Sequence, residues 1–332
     1  MRARRAVGLA LAALAALALC VVLSITLGSR PVSYRDVLQG LFGDAEASLA
    51  SAVVRERIIR TVFALTAGAA LGISGALMQA VTRNPVADPS VLGVNTGAAL
   101  FVVIGIAFLG ISTAREYIVL ALIGSGLTAV FVYGIGSIGR GGATPIKLAL
   151  AGSATGAALS SLVSAVMLPR GQVMDTFRFW QVGSVGGATW DGVALVSPFL
   201  VVGIIAGILS APALNALALG DDVATSLGVN IGVLRITSAA AGVALCGAVT
   251  ALAGPIGFVG LVAPHLVRQA LGADHRILIP MSAVVGACAL TLSDVLGRML
   301  GRPGELEVGV VTAFVGAPVL IFIAVKSKVR AL

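Results

Sequence analysis

Apolar residues in this chain gather in blocks of about twenty, and short polar stretches separate them. An α-helix rises 1.5 Å per residue, so about 20 such residues cross roughly 30 Å of hydrocarbon. Ten blocks are marked, at approximately 6–27, 58–81, 91–110, 117–138, 147–168, 191–209, 231–253, 256–271, 276–296 and 307–325. The pattern predicts an all-α, polytopic membrane protein of about ten transmembrane helices, forming a single domain over residues 1–332. The eighth block is short and follows a Gly-Pro break, so a broken or tilted helix is expected there. MRARR followed by Ala6–Leu27 imitates a signal peptide. The run is longer than the 7–15 residues of a typical h-region, so it is read as the first span.

Composition agrees with the pattern. Hydrophobic residues make up 58% of the chain and charged residues 11%, against about a quarter charged in soluble domains. The 42 glycines suit close helix packing in lipid. A formal charge of +8 raises nucleic acid as a partner, but the basic residues fall at the ends of apolar blocks and form no stripe. Membrane lipid is therefore expected as the surrounding partner, and nucleic acid is not. Cys20, Cys246 and Cys288 all lie inside apolar blocks, as small packing residues, without metal spacing.

An even number of spans puts both termini on one side, and MRARR and KSKVR argue that this side is the cytoplasm of a cell-membrane protein. The topology divides the 22 basic residues twelve inside, Arg140 and Arg330 among them, and ten outside, a weak positive-inside bias. All three lysines fall inside, and every outer basic residue is an arginine. The arginine fork binds carboxylates bidentately, so these residues either dock an acidic partner or anchor helix ends at headgroups.

No phosphate loop, G-x-S-x-G, H-E-x-x-H or C-x-x-C motif occurs, so no catalytic or metal residues are assigned. His275 is expected in a solvated loop or at a headgroup contact, and His265 in a structural hydrogen bond. Asp294 and Arg298 are spaced for an i,i+4 pair. Buried carboxylates of the kind an ion-coupled carrier needs are scarce at mid-span, so energy should enter from outside the membrane domain.

AGAAL (67–71) and AGVAL (241–245) each open a small-residue helix that later meets a proline break, which hints at internal duplication. The first break carries Asn84, Pro85, Asp88, Pro89 and Gly93. The second carries Gly254, Pro255, Gly257, Gly260 and Pro264. Proline stops helices and Asn/Asp favour turns, so each segment reads as a tight turn between helices.

A further polar stretch, LGDDVATSLGVN (219–230), lies between two apolar blocks. Asp221 and Asp222 are read as N-terminal caps, Gly228 as a left-handed C-terminal residue and Asn230 as the cap of the next helix. That gives a helix of about two turns over 220–228, with Val223 and Leu227 as a small apolar ridge. Two turns are not stable alone in water. The ridge either rests on its own membrane domain or docks into another protein.

Five ordered blocks now carry a resemblance. They are RERIIRTVFALTAGAALGISGALMQAVTRNPVADPSVLGVNTGA (55–98), WQVGSVGGATW (180–190), LALGDDVATSLGV (217–229), GPIGFVGLVAPHLVRQALGADHR (254–276) and ELEVGVVTAFVGAPVLI (305–321). Over about residues 28–325 the chain resembles permease subunits of ATP-binding-cassette importers for ferric siderophores, haem and vitamin B12. The resemblance implies ten helices with inverted repeats, whose breaks are the structural turns named above. It also implies a second permease subunit, two ATPase subunits that bind ATP and Mg, and an extracytoplasmic substrate-binding protein. No cofactor is implied in this chain, which is a transport subunit and not an enzyme. Contact with the ATPase is carried onto Asp221, Asp222, Val223, Ala224, Thr225, Ser226, Leu227 and Gly228. Docking of the binding protein is carried onto Arg57, Arg60 and Arg298. Relatives often have proline where this chain has Ile59, beside Arg60. A ferric siderophore is the expected cargo, with haem and cobalamin as alternatives, and a heterodimer of permeases is expected over a homodimer.

Overall fold

The computed structural model of the chain describes residues 2–42, 49–139 and 144–329. Every apolar block falls on helix, and no strand occurs among the described residues. The helices are α1 (Arg2–Thr26), α2 (Tyr34–Phe42), α3 (Leu49–Thr82), α4 (Val94–Ile104), α5 (Ala114–Gly136), α6 (Pro145–Met167) and α7 (Gly171–Gln181). They continue as α8 (Trp190–Ala218), α9 (Asp221–Ser226), α10 (Ile231–Ala253), α11 (Val259–Leu271), α12 (His275–Leu300) and α13 (Val308–Val329). A 3₁₀ turn, Pro89–Leu92, precedes α4, and a π turn, Gly105–Leu109, follows it. Among the described residues, six helices (α3, α5, α6, α8, α10 and α12) are long and apolar enough to cross a membrane; shorter apolar stretches lie at Leu11–Thr26, Val94–Leu109 and Val308–Ile321.

Local chemistry sets several helix starts. Thr113 and Glu116 form a reciprocal capping box at α5, which satisfies backbone N–H groups that the first helical turn leaves open. Thr144, Thr189, Asn230 and Asp274 accept from backbone N–H groups at the starts of α6, α8, α10 and α12.

The centre of the bundle is an antiparallel seam between α3 and α12. A Cβ on Gly68 would lie 2.4 Å from the Gly286 carbonyl oxygen, and one on Gly72 would lie 2.1 Å from that of Ser282. Small residues four apart on both helices let the backbones touch, which gives van der Waals contact that lipid cannot replace. A Cβ on Gly75 would lie 1.8 Å from the Gly260 oxygen, so α11 is drawn equally close. On another side of α3, Ser74 Oγ donates to the Gly242 carbonyl of α10. α6 lies at the margin, with exposed Ser153, Ser160, Ser161 and Ser164.

Several expectations are corrected. α3 starts at Leu49 instead of residue 58, and α8 runs to Ala218 instead of 209. Charged residues end the apolar pattern of α3, but Arg57 and Arg60 hold partners that keep this end helical. The short helices α2 and α7 went unpredicted, because each lies in a polar connection with no long apolar run. Arg140 and Arg330, counted above on the cytoplasmic side, lie outside the described residues.

Candidate functional site

Two polar clusters sit at opposite ends of α3. At its C-terminal end is α9, six residues long and so shorter than the expected two turns. Its N-cap is Gly220 (φ 117°), with no side-chain cap. The capping role expected of Asp221 and Asp222 is thereby corrected. Both fall inside the first turn, where carboxylates still favour the helix dipole. Asp221 instead bridges two arginines. Its Oδ1 accepts from Arg83 Nη2 and its Oδ2 from Arg235 Nη2 at 3.0 Å. Arg83 also donates to the Leu217 carbonyl at 2.6 Å. One carboxylate therefore ties α9 to the end of α3 and the start of α10.

The far end of α9 follows the sequence reading. Gly228 is left-handed (φ 81°), and Val229 N–H reaches back to the Ala224 carbonyl at 3.0 Å. Asn230 Oδ1 accepts from Val233 N–H at 3.1 Å and caps α10. Ala224 is buried against the bundle, while Val223 and Leu227 are 44% and 63% exposed, and Leu219 beside them is also exposed. Asp222, Thr225 and Ser226 complete the outward surface. The helix is thus anchored on one face and presents an apolar ridge on the other.

The first break follows Arg83 on this side of the bundle, whereas the second follows the other end of α10. Asn84 Oδ1 accepts from Val86 N–H at 3.1 Å, with Pro85 exposed in the same turn. Asp88 Oδ1 accepts from Ser90 N–H at 2.9 Å, Pro89 opens the 3₁₀ turn, and Gly93 (φ 74°) closes it. The second break turns at Gly254 (φ 74°), where a Cβ would lie 2.0 Å from the Trp180 carbonyl oxygen. No other residue fits that position. Pro255 and Gly257 lead into α11, which buries Gly260 and Pro264.

At the other end of α3 the structure brings Arg57, Arg60 and Arg298 together. Arg60 Nε and Nη2 both donate to Asp294 Oδ1, at 2.9 and 2.7 Å, and Nη1 donates to Glu305 Oε2 at 2.6 Å. Arg298 Nη2 lies 3.0 Å from Asp294 Oδ2, which realises the expected i,i+4 pair. Arg298 Nη1 donates to the Ser24 and Leu27 carbonyls, and Arg57 Nη1 to those of Ile25 and Thr26. Arg302 takes the Gly28 carbonyl. The Ser24, Ile25 and Thr26 carbonyls are among those a helix C-terminus leaves open, so Arg57 and Arg298 cap α1, while Leu27 and Gly28 lie just past it. Arg57 and Arg298 are 6% and 2% exposed, and Asp294 is 1% exposed. A cavity of about 340 Å³ opens beside them, lined among others by Arg30, Arg57, Arg60, Arg298 and Glu305.

Some partners escaped the sequence reading. Asn215 Oδ1 is 2.8 Å from His275 Nδ1, and its amide donates to Asp274 at 2.7 Å, which clamps α8 to the start of α12. His275 is therefore buried at a helix start, which corrects the solvated loop. A polar Asn at the end of an apolar helix was the available signal. His265 does make a hydrogen bond, with Gln269 at 2.8 Å.

The FecCD transport family matches residues 16–326. The chain belongs to that family. It is 41% identical to the ferric enterobactin transport system permease protein FepD of Escherichia coli (strain K12), over 95% of this chain and 93% of that one. It is 38% identical to the Fe(3+)-citrate import system permease protein YfmD of Bacillus subtilis (strain 168), over 92% and 91%. Its fold matches a solved metal-chelate type ABC transporter in an inward-facing conformation, with TM-score 0.83 and 26% identity over 98% and 100% of the chains. As a FecCD permease it is a multi-pass membrane subunit of an ABC transport system, and ATP hydrolysis belongs to partner proteins.

Proposed function

We propose that this permease imports a ferric siderophore or similar metal chelate, crossing the cell membrane ten times with both termini in the cytoplasm. The α9 end then faces a pair of ATPase subunits, and the Arg60 end faces a substrate-binding protein outside. The named cargoes of the relatives support the chelate class, and the five sequence blocks support the family's arrangement of partners. The inverted-repeat reading draws support from two similar sequences of elements. In each, a long helix (α3 or α10) meets a proline and glycine break, then a shorter helix (α4 or α11).

The observation that carries the mechanism is the anchored ridge of α9. A force applied by the ATPase to Val223 and Leu227 passes through Asp221 into Arg83 and Arg235, and so into α3 and α10. α3 spans the bundle to Arg60, so a shift at one end is felt at the other. The serine face of α6 suits a water-lined pathway against a second permease subunit better than it suits lipid, and a different sister permease is proposed as that subunit. The test is Val223→Asp with Leu227→Asp in the assembled transporter. Loss of ATP-driven uptake is expected, with the ATPase no longer co-purifying. Unchanged co-purification would refute the contact.

A further inference from the structure

Arg60 carries two carboxylates that differ in access. Asp294 holds the Nε–Nη2 edge from a buried position, 1% exposed. Glu305 holds Nη1 from the cavity wall, with its side chain 35% exposed. Arg57 and Arg298 are turned inward onto carbonyls at and just past the end of α1, while Arg30 lies exposed on the cavity wall. An incoming carboxylate can reach Arg60 itself only at Nη1, where Glu305 already sits.

We infer that Glu305 is an internal stand-in for a docking carboxylate, and that a binding protein engages Arg60 by displacing it. This rests on the docking reading above and adds to it the group that must leave. Glu305 is well placed to do so. Its Oε1 accepts from Ser29 Oγ at 2.9 Å, and its neighbour Leu306 donates to the Gly297 carbonyl at 3.1 Å. Release of the side chain thus frees Ser29 and Arg60 while the 301–307 turn stays fixed to α12. The pair is partly open to the cavity, at 13% and 35% exposed side chains, and so is less tightly held than the Arg60–Asp294 pair behind it. Burial would raise the Glu305 pKa, but the hydrogen bond and charge of Arg60 and the Ser29 hydroxyl hold it below the ordinary value, so the group is charged at neutral pH. The exchange also favours selectivity: an open arginine would attract any anion, whereas this one yields to a carboxylate backed by a complementary surface.

The permease–ATPase complex in lipid nanodiscs, titrated with the labelled substrate-binding protein of the same transport system, tests this. Glu305→Gln should tighten binding about two- to fivefold, the scale of one partly exposed ion pair, and the gain should vanish when Arg60→Gln is added. Glu305→Asp, whose shorter side chain falls back from Arg60, should act in the same direction and guards against a folding defect in the first variant. Unchanged or weaker binding in both Glu305 variants, with binding lost in Arg60→Glu, would overturn the exchange and leave the docking reading standing. Unchanged binding in Arg60→Glu would overturn both.

Discussion

Arg60 and Asp294 pair bidentately across the α3–α12 seam, with Nη2 2.7 Å from Oδ1 and Nε within 3.2 Å of both oxygens. The pair continues the antiparallel register that sets Gly72 against Ser282 and Gly68 against Gly286. The same carboxylate also holds Arg298, so one acidic side chain offsets two cations at the end of the seam.

Removing that acid should therefore cost more than removing a surface pair. Asp294→Asn leaves Arg298 buried without a counter-charge, and a loss of about 3–5 kcal/mol is expected. Thermal unfolding of the purified protein in detergent measures it. Asp294→Leu combined with Arg298→Met should lose less than Asp294→Asn alone, because Arg298 is no longer there as an uncompensated buried charge and Arg60 keeps Glu305.

The seam itself is sensitive to a single methyl group. Gly72→Ala places a Cβ against the Ser282 carbonyl, backbone that has no rotamer to yield. A loss of at least about 1–3 kcal/mol is expected. Gly126→Ala, where no atom lies within 4 Å, should be close to neutral. Size-exclusion profiles after a heat step separate the two outcomes.

How much of this was legible in the sequence follows from what periodicity encodes. Apolar blocks located the spans, and Gly228 and Asn230 announced the end of α9 and the start of α10, because those signals are local. The register between α3 and α12 is not local. Spacing gave Asp294 and Arg298 as a pair within one helix, but Arg60 joins them from 234 positions away. The caps on α1 were hidden for the same reason, since Arg57 and Arg298 reach it only once three helices are packed. Asp221 looked like a cap because Asp often is one. Gly220 takes that place because its φ of 117° is open to glycine, and Asp221 is left to the arginines.

At the α9 end, Asp221→Asn should leave stability within about 1 kcal/mol, since the bridge is half exposed. It should lower transport per ATP hydrolysed, because Arg83 and Arg235 lose their shared partner. The ratio of uptake to phosphate release in proteoliposomes reads the effect.

Acid should loosen the Arg60 end. Glu305 has its pKa lowered in the folded protein, from an ordinary value of 4.5. A depressed carboxylate contributes stability above its unfolded pKa and loses it as pH falls through the folded value. Thermal stability of wild type relative to Glu305→Gln should thus be constant from pH 8 to about pH 5, and the difference should shrink below pH 4.5.

In the proposed mechanism this chain is a passive pathway driven by a partner ATPase through α9. Radio-iron siderophore uptake into proteoliposomes, assembled with the permeases, the ATPase and the binding protein, tests that most directly. Uptake is expected only when ATP and the ATPase are present, and is expected to be lost with Val223→Asp and Leu227→Asp. Uptake driven by a proton or sodium gradient, with the ATPase left out, would contradict it.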